Sequence, residues 1–222
     1  MPVRAYLRGS GPGRAGSPTV GAMDITSSHH FDRPFADVWS MLLDPDAHVA
    51  KYEHMGHRDV EVVTAEPGDD ALAITIVRQV DIDVPGVAKK FINPSNTVTS
   101  KDRWERKADG SGSGHSDVDI KGVPVQSTGS AALVDDGAGG CDYTITLAMK
   151  VKVPMIGEKV AGALRPQLEA QLEAEFAASE AWLSEHCPPR SGGRCPARGT
   201  PASARPPTRR LGAPLDRARP SA

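Results

Sequence analysis

From Met23 to Val151 the chain alternates apolar and polar residues in short runs, and beyond Gly157 the period lengthens from two to about four. Val60/Val62, Leu72/Ile74/Ile76, Val98 to Trp104, Val118/Ile120, Ala131/Leu133 and Tyr143/Ile145/Leu147/Met149/Val151 each put apolar side chains on one side of an extended strand. Turn-rich stretches such as "EPGDD", "ADGSGSG" and "DDGAGG" separate them. The alternate positions carry Glu61, Asp117, Asp119, Lys121, Thr144, Thr146, Lys150 and Lys152. One wet face and one dry face predict an antiparallel sheet.

Two short helices interrupt the alternation early, in "DRPFADVWSMLLDPDAHVAKYEHMG". Asp32 is placed to cap the first, with Pro34 in its opening turn and Phe35, Val38, Trp39 and Leu42 on one face. Asp44-Pro45 ends that helix and starts the next, and Gly56 stops it.

The last regular stretch, "VKVPMIGEKVAGALRPQLEAQLEAEFAASEAWLSEH", passes from strand to long helix around Pro154 and Gly157. Ile156, Val160, Leu164, Leu168, Leu172 and Phe176 recur every fourth residue. Four residues turn about 400°, so the stripe drifts roughly 40° per step and sweeps a broad face. Such a face suits a concave sheet that wraps the helix. Pro166 removes one backbone donor and presses on residue 162, a glycine able to yield. Leu168 and Leu172, in mid-stripe, are expected in the core.

Charge divides the chain into three parts. Residues 1–22 carry +3, residues 188–222 carry +7, and residues 23–187 carry −12. Residues 1–22 and 188–222 are rich in Gly, Pro, Arg, Ala and Ser without periodicity, and are expected to be disordered. The folded domain is expected over 23–187, with Met23 opening the ordered chain. Its acidity argues against nucleic-acid binding, which needs local positive charge at phosphates. No apolar run of about 18 residues predicts a membrane span. Three cysteines without a CxxC pair suit a reducing cytoplasm better than a disulfide framework.

A strand, two short helices, about six further strands and a long C-terminal helix resemble the START-like (SRPBCC-type) helix-grip fold. This is an α+β fold in which a curved antiparallel sheet of six or seven strands wraps a long helix. The stretches "FDRPFADVWSMLLDPDAHVAKYEHMGHRDVEVV", "RQVDIDVPGVAKKF", "NPSNTVTSKDRWER", "KGVPVQSTGSAAL" and "VKVPMIGEKVAG" are more closely similar to an actinobacterial family without assigned function, domain of unknown function 2505. The resemblance covers about residues 24–186. It implies a cavity between sheet and helix in which superfamily members bind lipids, sterols or polyketides. Some of those members cyclise or hydrolyse their ligand. A fold does not by itself fix a function.

Catalytic signatures are missing. The sequence holds no HExxH, GxSxG, P-loop or GxGxxG. His48, His54 and His57 cluster in "AHVAKYEHMGH", but Gly56 ends the helix between the last two, so no metal site and no cofactor are expected. "GSGSGH", residues 110–115, lies between strands and is expected to be a hairpin loop.

The sharper signal is polar residues at inward strand positions. Parity puts Arg78 on the face of Ile76, and Ser100 and Asp102 on that of Trp104. A buried Arg78 and Asp102 would need each other, water or a ligand; the alternative is a wet rim or a bulge that flips the register. Gly129 and Ala131 are small enough to leave space opposite Leu164 and Leu168. The long connection "IDVPGVAKKFINPSN" is either a lid carrying Phe91 or a packed short helix. Lys89 and Lys90 beside Phe91 and Ile92 suggest at most weak contact with an anionic membrane surface.

These residues predict a cytoplasmic binding protein for an apolar small molecule. An enzyme of cyclase or hydrolase type, using Asp102 and Arg78, is the alternative, and a filled-core interaction module is the third reading.

Overall fold

The computed structural model describes residues 21–187 apart from Pro85 and Ala88. The expectations for 1–20 and 188–222 lie outside these residues. Seven strands follow the period-two runs: β1 (Gly21–Phe31), β2 (Arg58–Pro67), β3 (Ala71–Asp81), β4 (Ser95–Arg106), β5 (Gly112–Ile120), β6 (Val125–Asp135) and β7 (Cys141–Val151). Helices α1 (Phe35–Leu42) and α2 (Pro45–His54) lie between β1 and β2, and α3 (Gly157–His186) closes the domain. All pairings are antiparallel, in the order β1-β7-β6-β5-β4-β3-β2.

Helix starts follow the sequence unevenly. Asp44 caps α2 through its side chain, which accepts a hydrogen bond from the Asp46 N–H at 2.9 Å, and Pro45 sits in the first turn. At α1 the capping position falls to Pro34, and no side chain caps it. The first helical turn begins after the proline, so Asp32 stands too far upstream to cap it. Gly56 adopts φ +80° just beyond α2, where a side chain would be strained. Helix α3 runs as one element through Pro166, and a side chain at Gly162 would meet open space.

Strand β1 includes the two residues before Met23. Gly21 and Ala22 are paired with Val151 and Lys150 in the sheet. A side-chain carbon at Gly21 would fall 2.3 Å from the Gly157 backbone, so the start of α3 crosses this strand end at glycine-to-glycine distance. The cysteine expectation also needs correction. Cys141 is a buried free thiol, but Cys187 is disulfide-bonded. Cysteine usage therefore gives no argument for a reducing compartment.

Helix α3 packs on β1, β7 and α2. Leu172, Phe176 and Leu183 are buried there, around Phe31 and Tyr143 from the sheet. The middle strands β4 to β6 stay farther from the helix. On their inward face, register places Gly114 beside Ala131, Ser116 beside Gly129 and Val118 beside Ser127. Small residues in adjacent pairs hollow out the sheet where helix cover is thinnest.

Candidate ligand-binding cavity

The hollow forms a cavity between sheet and helix, with about 210 Å³ open to the centre of a water molecule. Val98, Val118, Met149, Leu164 and Leu168 line its apolar part, with Ile82 and Ile92 from the β3–β4 connection. That connection forms turns and no helix among its described residues. The Gln167 side-chain amide donates to the Asp83 carbonyl and ties the connection to α3. Phe91 packs partly buried against the core and does not line the cavity, whereas Ile92 is buried and does. Both apolar residues thus turn inward, while Val87, Lys89 and Lys90 are exposed.

Seven of the ten sequence-derived candidates line this cavity: Arg78, Asp102, Trp104, Gly129, Ala131, Leu164 and Leu168. Ile76 is fully buried behind it, and Ser100, also buried, supports the site from one step away. The strand parity therefore holds through β3 and β4, with Arg78 7% and Asp102 6% exposed. Of the partners open to them, they do not take each other. Arg78 lies opposite Val98 while Asp102 lies opposite Ile74, four residues farther along β4. At about 3.3 Å per residue this separates their backbones by roughly 13 Å.

Each finds another partner. Arg78 donates from Nη1 to the Ser100 hydroxyl at 2.8 Å, and its guanidinium carbon lies 3.8 Å from the centre of the Tyr52 ring. Asp102 accepts a 2.5 Å hydrogen bond from Ser116, its direct neighbour on β5. Arg78 Nε and Trp104 Nε1, both buried, have no hydrogen-bond partner among the described residues.

The polar end also holds residues that sequence reasoning missed. Lys51 of α2 and Glu175 of α3 form a 2.8 Å ion pair facing the cavity. Burial opposes the charge on each, but their mutual attraction outweighs it, raising Lys51 and lowering Glu175 from their ordinary values. His57 stacks on Tyr52, and burial, then the charges of Arg78 and Lys51, hold it down at about 4. His48 donates from Nε2 to the Leu42 carbonyl, and burial followed by the Lys51 charge brings it to about 4. His54 is exposed at the end of α2, so the three histidines do not converge. Among the described residues no group of three or more His, Cys, Asp or Glu could hold a metal ion.

The glycines of "GSGSGH" are the second omission. Only its first part is a turn, for β5 begins at Gly112. A side-chain carbon at Gly112 would come within 2.4 Å of Trp39, and one at Gly114 within 2.5 Å of Trp104. These glycines are seats for two indole rings. Trp39 is fixed further by donating to Asp70 at 2.6 Å. Trp104 lies flat over Gly114 and forms one wall of the cavity.

This architecture agrees with the sequence comparison, in which a model of proteins of unknown function (DUF2505) matches residues 26–183. The chain belongs to the DUF2505 family. No curated protein matches it by sequence. Among solved structures, the Zhui aromatase/cyclase from Streptomyces sp. R1128 is similar at 17% identity and TM-score 0.52, over 75% of this chain and 97% of that one. Truncated norcoclaurine synthase from Thalictrum flavum is similar at 14% identity and TM-score 0.51, over 78% and 99%. At such identities the likeness establishes the helix-grip fold for this DUF2505 protein and nothing of its chemistry. Among the described residues no helix is long and apolar enough to cross a membrane.

Proposed function

We propose that this protein binds a small, largely apolar molecule in the cavity between its sheet and α3. One observation carries the reading: the hollow is built by small residues at Gly114, Ser116, Gly129 and Ala131, and walled by Val98, Met149, Leu164 and Leu168. Close-packed interiors seldom leave such space, and a mostly apolar pocket with a few converging polar groups is the usual form of a ligand site. A filled-core interaction module draws no support from this interior. Extraction of the purified protein with organic solvent, followed by mass spectrometry, tests the reading. A stoichiometric apolar compound is expected. Loss of the reading would follow from an empty extract together with no binding of any apolar fluorophore.

A second reading, catalysis in the same cavity, rests on the short Ser116–Asp102 contact, which places a buried carboxylate on a hydroxyl at the cavity wall. It predicts chemical turnover of the extracted compound, abolished in Asp102→Asn.

A further inference from the structure

Arg78 is a buried cation with an unfinished set of contacts. Ser100 holds Nη1 and Tyr52 covers one face of the guanidinium, so the group is oriented before anything binds. Its Nε–H has no acceptor, and no carboxylate among the described residues lies within ion-pair distance of it. The nearby Lys51 differs, because Glu175 already answers its charge at 2.8 Å. Asp102 cannot serve, since the register sets it four residues away along β4. Glu175 feels the Arg78 charge through space but contacts Lys51, so Arg78 has no carboxylate of its own, and an arginine held in this way is a ready receptor for an anion.

Resting on the binding reading above, we propose that the cavity takes an apolar molecule ending in a carboxylate, seated on the Nε edge of Arg78. A guanidinium edge offers a planar fork of N–H groups that matches the two oxygens of a carboxylate. The same cavity contains Asp102 and Glu175, whose negative charges disfavour a doubly charged head such as a phosphate monoester. Trp104, whose ring walls the same cavity, offers an aromatic surface to the rest of the ligand. Val98, Val118 and Leu168 cover the apolar remainder.

The test uses the full chain and the uncharged fluorophore N-phenyl-1-naphthylamine as a reporter of cavity occupancy. Decanoate, methyl decanoate and decanol are titrated against it at pH 7.5. Decanoate is expected to displace the reporter at about 10- to 100-fold lower concentration than the ester or the alcohol, the range of a charge-assisted hydrogen bond. Arg78→Gln, which keeps size and a donor but not charge, should bring the three to parity while the reporter still binds. Equal displacement by decanoate and its ester in the parent protein would overturn the anchor and leave the cavity reading intact. So would a preference that survives in Arg78→Gln. Failure of the reporter and all three amphiphiles to bind would remove both readings. The parent comparison of acid with ester decides the matter even if the variant does not fold.

Discussion

The two halves of α3 meet the sheet on different terms. Its C-terminal half presents Phe176 and Leu183 to a close-packed region, where Tyr143 meets Phe176 edge-on at 5.9 Å and His29 stacks on it at 5.2 Å. Its N-terminal half presents Leu164 and Leu168 over the hollow of β4 to β6. The same four-residue stripe runs through both halves, so the difference arises from the sheet. Large inward residues of β1 such as Ile25 and Phe31 fill the space in one region, and Gly, Ala and Ser of β5 and β6 leave it empty in the other. Stability should concentrate in the first region and ligand binding in the second.

The sharpest way to break this contrast is Phe176→Ala. Phe176 is 2% exposed and joins His29, Tyr143 and the core, so its truncation should cost about 3–5 kcal/mol. Urea unfolding of the variant against the parent measures it. A cost below about 1 kcal/mol would mean that this half of the helix is no better packed than the other.

The polar end, between the two halves, should announce itself through pH. Burial, then the Lys51 charge, holds His48 at about 4, although Asp102 and Glu175 pull the other way. The unfolded chain binds its proton near 6.5 while the fold resists until about 4. Stability is therefore complete above 6.5 and declines as pH falls towards 4, by about 2–3 kcal/mol from this residue. His57, depressed to a similar value but partly exposed, adds a weaker loss in the same window. Urea midpoints between pH 7.5 and 4 should fall less steeply in His48→Gln than in the parent. Parallel profiles would show that His48 is protonated in the fold without penalty.

Next comes the cavity wall. Gly114→Ala places a carbon 2.5 Å from the Trp104 ring, so the indole must shift, at a cost of about 1–3 kcal/mol. Trp104 also lines the cavity, so reporter binding should weaken along with stability. Gly137→Ala, strained by φ +72° in the β6–β7 turn, none of whose residues lines the cavity, is the control: it should lower stability and leave reporter affinity unchanged. An unchanged reporter affinity in Gly114→Ala would detach Trp104 from the binding site.

These sites were unequally legible in the sequence. Strand period made the inward placement of Arg78 and Asp102 readable, because side chains alternate along any strand. Their partners were not readable, because pairing depends on register, and register is set by contacts between strands. Lys51 and Glu175 lie 124 positions apart, each on a helix where a lone charge looks solvated, so nothing local marked them as a buried pair. Gly112 and Gly114 were hidden by turn-like neighbours. Their two-residue spacing, continuing the inward parity of Val118 and Ile120, was the available sign that they belong to a strand. The hydrophobic stripe of α3 was clear, yet it could not distinguish packing from roofing, since both require leucine.

Leu168 makes that last distinction testable, with the smallest expected change in stability. It belongs to the stripe with Leu172 and both touch the cavity, but Leu168 is only partly buried, whereas Leu172 is 2% exposed. Leu172, more deeply buried, loses more packed contacts on truncation, at a cost of about 2–5 kcal/mol. Truncating Leu168 enlarges a space that already exists, so no new cavity surface has to be created within packed structure, and the cost should stay below about 1 kcal/mol. The cavity should register the change instead. Leu168→Ala removes apolar surface from the roof and should weaken N-phenyl-1-naphthylamine binding several-fold, since each buried methylene is worth about 0.8 kcal/mol. Leu168→Trp should fill part of the space and exclude the fluorophore while leaving the urea midpoint near that of the parent. If Leu168→Ala instead destabilises as much as Leu172→Ala and leaves fluorophore affinity untouched, the N-terminal half of α3 is packed core in solution, and the contrast between the two halves of the helix is lost.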